Sequence, residues 1–284
     1  MHLISYLKDG QPGYGILNGD DITDLGSRLP ECPDLKSLIA AGIDKAGGVV
    51  QGRDFGLSDV QLLPPVPNPG SIWCAGMNTH SHFEEAKDRM GLEETPKVPM
   101  FFLRAPGTLV PSGEDLEKPV KEPAFDYEGE IAVVIGKACR NISEEEALDY
   151  VAGYSCFNDG SARLYQVSSN QMTTGKNAWR SGGFGPVLAT ADSIDLSAMK
   201  LECRVNGEVR QVMELDDLIF SFAQLISHIS DVYELQPGDV IVTGAAEGVG
   251  ALRDPSVFLA PGDSIEVEVP GIGTLVNGVS EQVL

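Results

Sequence analysis

The sequence predicts an α+β protein that is mainly β, with a small β-rich domain at its N-terminus and a larger domain after it. Its 284 residues include 32 glycines and 18 prolines, a content typical of many tight turns. Most apolar residues fall in short runs bounded by turn residues, as in strands. The sequence has no P-loop, no G-x-G-x-x-G at a helix start and no G-x-S-x-G. These absences argue against nucleotide-dependent chemistry and against the α/β-hydrolase fold.

The N-terminal part alternates short apolar runs with turns. Residues 4–7, 13–17 and 22–25 are predicted strands, and residues 35–41 are a predicted short helix. Residues 63–70 contain four prolines in eight residues and are the best candidate linker. We therefore expect three segments: a small domain over 1–62, a proline-rich linker over 63–70, and the main domain over 71–284.

Strands and turns continue in the main domain, with few helices. Two Leu-x-Pro-Gly-Asp turns begin at Leu235 and Leu259, and each precedes a predicted strand. The Asn206-Gly207 pair predicts a hairpin turn. One long amphipathic helix is predicted over 217–232, where apolar residues recur at helical spacing.

The charge and the cysteines limit the partners and the compartment. Lys and Arg number 20 against 42 Asp and Glu, a formal net charge of −22. This charge repels nucleic acids and anionic membranes, so we expect neither as a partner.

Five widely spaced cysteines without a C-x-x-C pair disfavour a disulfide framework or a cysteine zinc site. With no signal-like N-terminus and no spanning apolar run, we expect a cytoplasmic protein.

Acidic residues precede the most apolar run of the chain. Residues 131–135 are a predicted buried strand, and Glu128 and Glu130 share one face because strand side chains alternate. Two dehydrated carboxylates repel each other, and a divalent cation would relieve both costs. The alternative is a solvated strand end that exposes both acids. Asp159, in an Asn-Asp-Gly sequence, either completes a three-carboxylate site or belongs only to a turn.

His82 and Glu85 are a candidate general base and its partner. If a helix starts at Ser81, with Glu84 closing a capping box, His82 and Glu85 lie on one face. Glu85 then orients His82 to take a proton from water. The alternative is an exposed polar helix. A glycine and two prolines between residues 91 and 99 bound this segment, as is typical of a mobile lid.

Lys176 lies in a glycine-rich stretch and is a candidate to bind a substrate carboxylate or a developing oxyanion. The alternative is a lysine of a surface loop. His228 falls in the long predicted helix and is interpreted as structural.

Several motifs follow one another between residue 72 and the C-terminus. They are Asn78-x-x-x-His82-x-x-Glu85, Tyr127-Glu128-x-Glu130, Asn158-Asp159-x-Ser161-Ala162-Arg163-x-x-Gln166, Gly175-Lys176, Gly185-Pro186 and Pro237-Gly238-Asp239. In this combination and order, the sequence resembles the fumarylacetoacetate hydrolase family. A small N-terminal domain ahead of the catalytic one is also similar to family members of about this length.

The resemblance implies a β-sandwich-like roll, a homodimer and a bound Mg²⁺, or Mn²⁺ or Ca²⁺ in its place. It implies that Glu128, Glu130 and Asp159 are the metal ligands. It also implies that His82 and Glu85 form a dyad on a lid helix, and that Lys176 takes part in catalysis. The residues expected to contact the substrate are Arg104, Gln166, Lys176, Trp179 and Thr243.

The leading hypothesis is a metal-dependent hydrolase that cleaves a C–C bond in a β-diketone or acylpyruvate-like substrate. Water activated by His82 would attack the distal carbonyl, and the metal and Lys176 would stabilise the leaving enolate. The enzymatic alternative is a decarboxylase, isomerase or tautomerase of a 2-keto acid or diacid on the same metal site. A non-catalytic metal- or ligand-binding protein is the alternative from a different class.

The sequence departs from the family pattern near the expected pocket. Thr79 stands where the family usually has Tyr, and Ala245-Ala246 stand in place of Thr-Pro. Trp179 stands in place of Asp. The ligand and dyad positions are kept, so catalysis is expected, whereas the changed positions predict a bulkier and less carboxylated substrate.

Overall fold

A computed structural model describes residues 1–49, 52–91, 93–169 and 171–283. This part of the chain contains nineteen strands and six α-helices, which confirms the mainly β class. The strands are β1 (His2–Lys8), β2 (Gln11–Asn18), β3 (Asp21–Asp24), β4 (Phe55–Gly56), β5 (Gln61–Leu63), β6 (Ile72–Gly76), β7 (Met100–Leu103), β8 (Leu109–Val110), β9 (Leu116–Lys118), β10 (Phe125–Asp126), β11 (Gly129–Ile135), β12 (Val151–Asp159), β13 (Ser161–Ala162), β14 (Gly182–Thr190), β15 (Lys200–Val205), β16 (Glu208–Glu214), β17 (Val240–Val242), β18 (Ser264–Val269) and β19 (Gly273–Glu281). The helices are α1 (Leu35–Ala41), α2 (His80–Met90), α3 (Glu144–Ala147), α4 (Arg163–Val167), α5 (Thr173–Lys176) and α6 (Phe222–Val232).

Two sheets hold most of these strands. The larger has twelve strands along the path β4-β3-β2-β1-β14-β12-β11-β17-β6-β7, with β5 beside β1 and β8 beside β14. The smaller has five strands in the order β16-β15-β18-β19-β9, and β10 pairs separately with β13. Parallel pairs join β17 to β6, β14 to β8 and β19 to β9. Antiparallel pairs such as β11 with β12 bring the start of one strand beside the end of the next.

Strand β11 is buried on both faces, and its alternation divides the interior into two cores. Ile131 and Val133 pack in the core that includes Val267 of the smaller sheet. Ala132 packs in a second core that includes Leu38 of α1. A strand covered on both faces is apolar throughout, which explains the continuous run of apolar residues in β11.

The predicted N-terminal elements are confirmed as β1, β2, β3 and α1. Strand β1 also pairs with β14, with Leu3 opposite Leu188, so the N-terminal strands extend the large sheet. Residues 64–66 are buried, and the Pro65 carbonyl accepts a 2.8 Å hydrogen bond from the Ser5 hydroxyl. The two parts of the chain therefore share a sheet, and their division at residues 63–70 stays a prediction.

The long helix predicted from residue 217 begins later, at Phe222. Ser221 caps it, and the Gln224 side chain closes the capping box. The preceding segment cannot continue the helix because the Phe220 N–H donates to the Asn78 side chain at 2.9 Å. The apolar pattern thus extends beyond the helix, since the preceding turn packs on the same core.

The predicted turns are confirmed. Asn206 and Gly207 have φ of 52° and 76°, as a two-residue hairpin turn requires. Gly238 and Gly262 have φ of 84° and 96°, as glycine allows in the second position of a type II turn. None of the helices in the described part of the chain is both long and apolar enough to span a membrane.

Candidate active site

Three carboxylates meet where β11 begins and β12 ends. Glu128 precedes β11, Glu130 is its second residue and Asp159 ends β12. Antiparallel pairing places Gly129 opposite Asn158, which brings the three acids together. One oxygen of each lies within 4.8 Å of the others. Glu128 is 6% exposed, Glu130 1% and Asp159 0%, so the alternative of a solvated strand end is wrong.

Two buried cations pair with these carboxylates. Lys176 donates to Asp159 Oδ2 at 2.7 Å and also to Glu128 Oε2. Arg104 donates through Nε and Nη2 to Asp159 Oδ1, at 2.9 and 2.5 Å. Its Nη1 donates to the Ser181 hydroxyl at 2.8 Å. Because Lys176 is buried with the carboxylates, the alternative of a surface-loop lysine is wrong.

Arg163, at the start of α4, is a site residue that the sequence analysis did not identify. Its Nη1 lies 2.7 Å from Glu128 Oε1, and its Nε donates to Asp126 Oδ2 at 2.8 Å. Arg163 lies in the same motif as Asp159 and Gln166, and this position in the motif was the available signal.

Burial and neighbouring charges oppose each other at these groups. Burial raises the pKa of Glu128, but Lys176 and Arg163 lower it, and the net pKa is below the usual value. The pKa of Glu130 is well above the usual value, because burial and the charges of Asp159 and Glu128 disfavour ionisation. Burial lowers the pKa of Lys176, but Asp159 and Glu128 raise it more. Lys176 therefore remains an ammonium.

The donor set of this carboxylate cluster fits a divalent cation. Carboxylate oxygens are the ligands that Mg²⁺, Mn²⁺ and Ca²⁺ prefer, and the three acids are close enough to share one ion. The ammonium of Lys176 already contacts two of them, so a positive charge is stable at this position. Burial, and then the charges of Asp159 and Glu128, raise the pKa of Glu130, and a bound cation would oppose both effects.

Helix α2 carries the predicted dyad. Thr79 caps this helix by accepting the His82 N–H at 3.3 Å, so the predicted start at Ser81 is wrong. Ser81 instead faces the loop before α6, because its N–H and hydroxyl both donate to Asp217. His82 Nδ1 lies 3.3 Å from Glu85 Oε2. The side chains are 12% and 18% exposed, so the alternative of an exposed polar helix is wrong as well.

The Glu85 carboxylate is held from outside its own helix. Its Oε1 accepts the backbone N–H of Gly248 at 3.0 Å, and its other oxygen faces His82. This contact fixes the orientation of Glu85, which in turn orients the imidazole.

A cavity of about 240 Å³ joins α2 to the carboxylate cluster. Its polar lining comprises His82, Glu128, Glu130, Arg163, Gln166 and Lys176. Its apolar lining includes Ala86, Met100, Phe102, Met172, Val249 and Leu252. The candidate base and two of the three candidate metal ligands, Glu128 and Glu130, therefore face one space, large enough for a small organic acid.

The structure brings only part of the predicted substrate contacts to this cavity. Gln166 and Lys176 line it. Arg104 does not, because its guanidinium is fully buried against Asp159. Thr243 does not, because its hydroxyl donates to the Ile131 carbonyl at 3.0 Å inside the sheet. Trp179 is 58% exposed and also lies outside the lining.

Fold and site together define the class of protein. A mainly β fold that buries three carboxylates beside a His–Glu pair is what the motifs predicted. Residues 71–280 match the family model "Fumarylacetoacetate (FAA) hydrolase C-terminal". The chain belongs to the fumarylacetoacetate hydrolase family, and its fold is the mainly β, α+β fold of that family.

Individual relatives carry different activities in their names. The chain is 41% identical over 230 residues to oxaloacetate tautomerase YisK of Bacillus subtilis, covering 79% of this chain and 75% of the relative. It is similar to the fumarylacetoacetate hydrolase of Exiguobacterium antarcticum, with a TM-score of 0.84 and 31% identity over 99% and 100% of the two chains. It is also similar to the maleylpyruvate hydrolase of Sphingobium sp. SYK-6 in complex with manganese(II) and pyruvate, with a TM-score of 0.79 and 26% identity over 100% of both chains. The family thus includes tautomerases as well as hydrolases.

Proposed function

We propose that this protein is a metal-dependent enzyme that moves a proton on a 2-oxo acid and so interconverts its keto and enol forms. The observation that carries this proposal is that His82, held by Glu85, lines the same cavity as Glu128 and Glu130. The relative named oxaloacetate tautomerase supports keto–enol chemistry over the C–C hydrolysis that the sequence favoured first.

Glu128, Glu130 and Asp159 are the proposed ligands of Mg²⁺, or of Mn²⁺ or Ca²⁺ in its place. A cation bound by them would polarise the carboxylate and 2-oxo oxygens of the substrate. Lys176 adds a second positive charge in the lining, and its raised pKa keeps it protonated. It is therefore suited to stabilise an oxygen that gains charge rather than to act as a base.

His82 is the proposed base. Its Nδ1 faces Glu85, which leaves Nε2 for the substrate. Nε2 takes a proton from C3 of the 2-oxo acid, and the electrons of the broken C–H bond form the C2–C3 double bond. The imidazolium then returns this proton to the 2-oxo oxygen, which gives the enol. No water is consumed, and the reverse sequence regenerates the keto form.

Hydrolysis of a C–C bond is the second candidate. The same His82–Glu85 pair is placed to take a proton from water instead of from C3. The relative named maleylpyruvate hydrolase supports this alternative.

Isotope experiments separate the two reactions. In D₂O, a tautomerase exchanges the C3 hydrogens of 2-oxo acids for deuterium, which NMR detects in a panel that includes oxaloacetate. A hydrolase instead places ¹⁸O from labelled water in a carboxylate product of an acylpyruvate. If no 2-oxo acid shows metal-dependent exchange above the uncatalysed rate, the tautomerase proposal is wrong.

The proposed partner is a small 2-oxo acid. A homodimeric assembly and a cytoplasmic location remain predictions, as do the individual roles of the site residues.

A further inference from the structure

One side of the cavity is an apolar wall formed by Met100, Phe102 and Met172. A Cβ added to Gly76 would lie 2.9 Å from Met100 Cε, 3.5 Å from Met172 Cε and 4.0 Å from Phe102 Cε1. The three side chains therefore surround the space that Gly76 leaves open. The wall begins directly beside the charged groups, since Lys176 Nζ lies 5.1 Å from the centroid of the Phe102 ring.

The cations in the described lining are already paired. Arg163 Nη1 and Nε lie 2.7 Å from Glu128 and 2.8 Å from Asp126, and Nη2 lies 2.7 Å from the same Asp126 oxygen without forming a hydrogen bond, so the charge of Arg163 is neutralised by two acids. Lys176 contacts Glu128 and Asp159. The remaining basic group of the lining, His82, faces the carboxylate of Glu85. A second anionic group on a ligand would find only cations that acids already neutralise.

We infer that the substrate is a 2-oxo monocarboxylate whose far end is apolar, and that the apolar wall selects this end against a second carboxylate. The inference rests on the proposed function, because it places the 2-oxo acid group at the carboxylate cluster. At the mouth of the cavity, Met100 is 41% exposed and Val167 is 76% exposed, and an apolar group of the ligand would cover them. This specificity differs from that in the name of the oxaloacetate tautomerase relative.

Calorimetry with a matched pair of ligands tests the inference. The ligands are 5-methyl-2-oxohexanoate and 2-oxoglutarate, which differ only in an isopropyl group in place of a carboxylate. Each is titrated into protein saturated with Mg²⁺. We expect the isopropyl compound to bind at least about tenfold more tightly, because a carboxylate against the apolar wall loses hydration without gaining a partner.

Two lysine variants connect this preference to the wall. Met100→Lys puts a free cation in the wall at a partly exposed position, and it is expected to reverse the preference in favour of 2-oxoglutarate. Leu103→Lys is the matched control. Leu103 lies on the same strand, is 49% exposed and does not line the cavity, so the preference should stay as in the wild type.

The outcomes separate the two proposals. If 2-oxoglutarate binds the wild type as tightly as its partner, the inference is overturned while metal-dependent C3 exchange still supports the function. The inference is also overturned if Met100→Lys and Leu103→Lys change the preference equally. If neither ligand binds to Mg²⁺-loaded protein, the proposed function and the inference both fail.

Discussion

The carboxylate cluster, through Glu128 and Glu130, and the His82–Glu85 pair, through His82, reach one cavity, but the chain holds them in different ways. The cluster sits on two central strands, and the Asp159 side chain is fully buried between Arg104 and Lys176. The pair sits on one helix at the surface of the fold. His82 Nδ1 lies 3.3 Å from Glu85 Oε2, and the backbone N–H of Gly248 donates a hydrogen bond to Glu85 Oε1.

Metal binding and proton transfer therefore belong to separable parts of the molecule. The carboxylates cannot be altered without leaving buried cations unpaired, so changes there affect stability as well as ligand binding. The dyad side chains are 12% and 18% exposed and pair with each other rather than with the buried cations, so changes there should affect chemistry more than metal binding or stability. Substitutions in the two regions test this separation.

Glu128→Ala should have the largest effect. It removes a proposed metal ligand and leaves Lys176 and Arg163 with one acceptor fewer. Metal-dependent turnover should fall to the level of chelated protein, and calorimetry should show no Mg²⁺ binding at millimolar concentrations. Full activity of this variant, or of the wild type after exhaustive chelation, would contradict the assignment of the cluster.

His82→Ala should lose activity without losing metal. A positioned general base contributes about 10²–10⁴-fold, so turnover should fall in that range while Mg²⁺ affinity and unfolding temperature stay close to wild type. Glu85→Gln should lose less, because Glu85 orients the base without accepting the proton. Wild-type turnover by His82→Ala with metal bound would show that another group is the base.

Arg104→Met tests how much the buried ion pair between Arg104 and Asp159 contributes to the free energy of unfolding. Removing one partner of a buried ion pair costs about 3–5 kcal/mol, and urea unfolding should show a loss of that order. The control is Arg204→Met. Arg204 contacts three acids where Arg104 contacts one, but near the surface, with a side chain that is 19% exposed, so the loss should be at most about 1 kcal/mol. Equal losses would mean that burial does not distinguish the two networks.

Glu130 should make metal binding depend on pH. Above the usual pKa of Glu, the unfolded chain has released the proton of Glu130. The metal-free folded protein still holds it, because its pKa for this group is raised. The stability of the metal-free protein should therefore fall as pH rises above the usual pKa of Glu, and Mg²⁺ affinity should rise as Glu130 loses its proton. Glu130→Gln should bind metal weakly and lose this contribution to the pH dependence of stability. An unchanged pH profile in Glu130→Gln would show that Glu130 does not titrate there.

Thr79→Ala should have the smallest effect. It removes the cap of α2, which is worth about 0.5–2 kcal/mol, and a 2.7 Å hydrogen bond to the Ala245 carbonyl. Because His82 keeps its contact with Glu85, turnover should fall by less than about tenfold. Thr79→Ser keeps the hydroxyl and should behave as the wild type. A loss as large as that of His82→Ala would mean that the helix start, rather than the imidazole, controls the reaction.

Some parts of this site were predictable because local patterns encode them. The alternation of Glu128 and Glu130 before an apolar run follows from strand geometry, and the spacing of His82 and Glu85 follows from helix geometry. The cap of α2 was not predictable in the same way. Both Thr79 and Ser81 are capping residue types. The choice between them depends on Asp217, which is distant in sequence and accepts hydrogen bonds from the N–H and the hydroxyl of Ser81.

The predicted substrate contacts show what a local sequence pattern cannot determine. Arg104 and Thr243 were expected to touch substrate, but a motif does not show whether a side chain faces a cavity or the interior. Arg104 turns towards Asp159, and Thr243 towards Ile131 of the neighbouring strand. The apolar wall was missed for the opposite reason. Met100 and Met172 lie in segments without motifs and meet only because β7 and the segment before α5 converge on Gly76.

By itself, the sequence determined the mainly β class, the N-terminal strands, the turns and the family, since these depend on turn residues, strand periodicity and ordered motifs. It also named the acids that come together. Only the tertiary structure decided that these acids are buried, that Arg163, Arg104 and Lys176 neutralise them, and that the cavity beside them has an apolar wall. The physical reason is that burial and charge pairing arise between residues that are distant in the chain. Their effects on pKa and on specificity therefore appear only when the strands are paired.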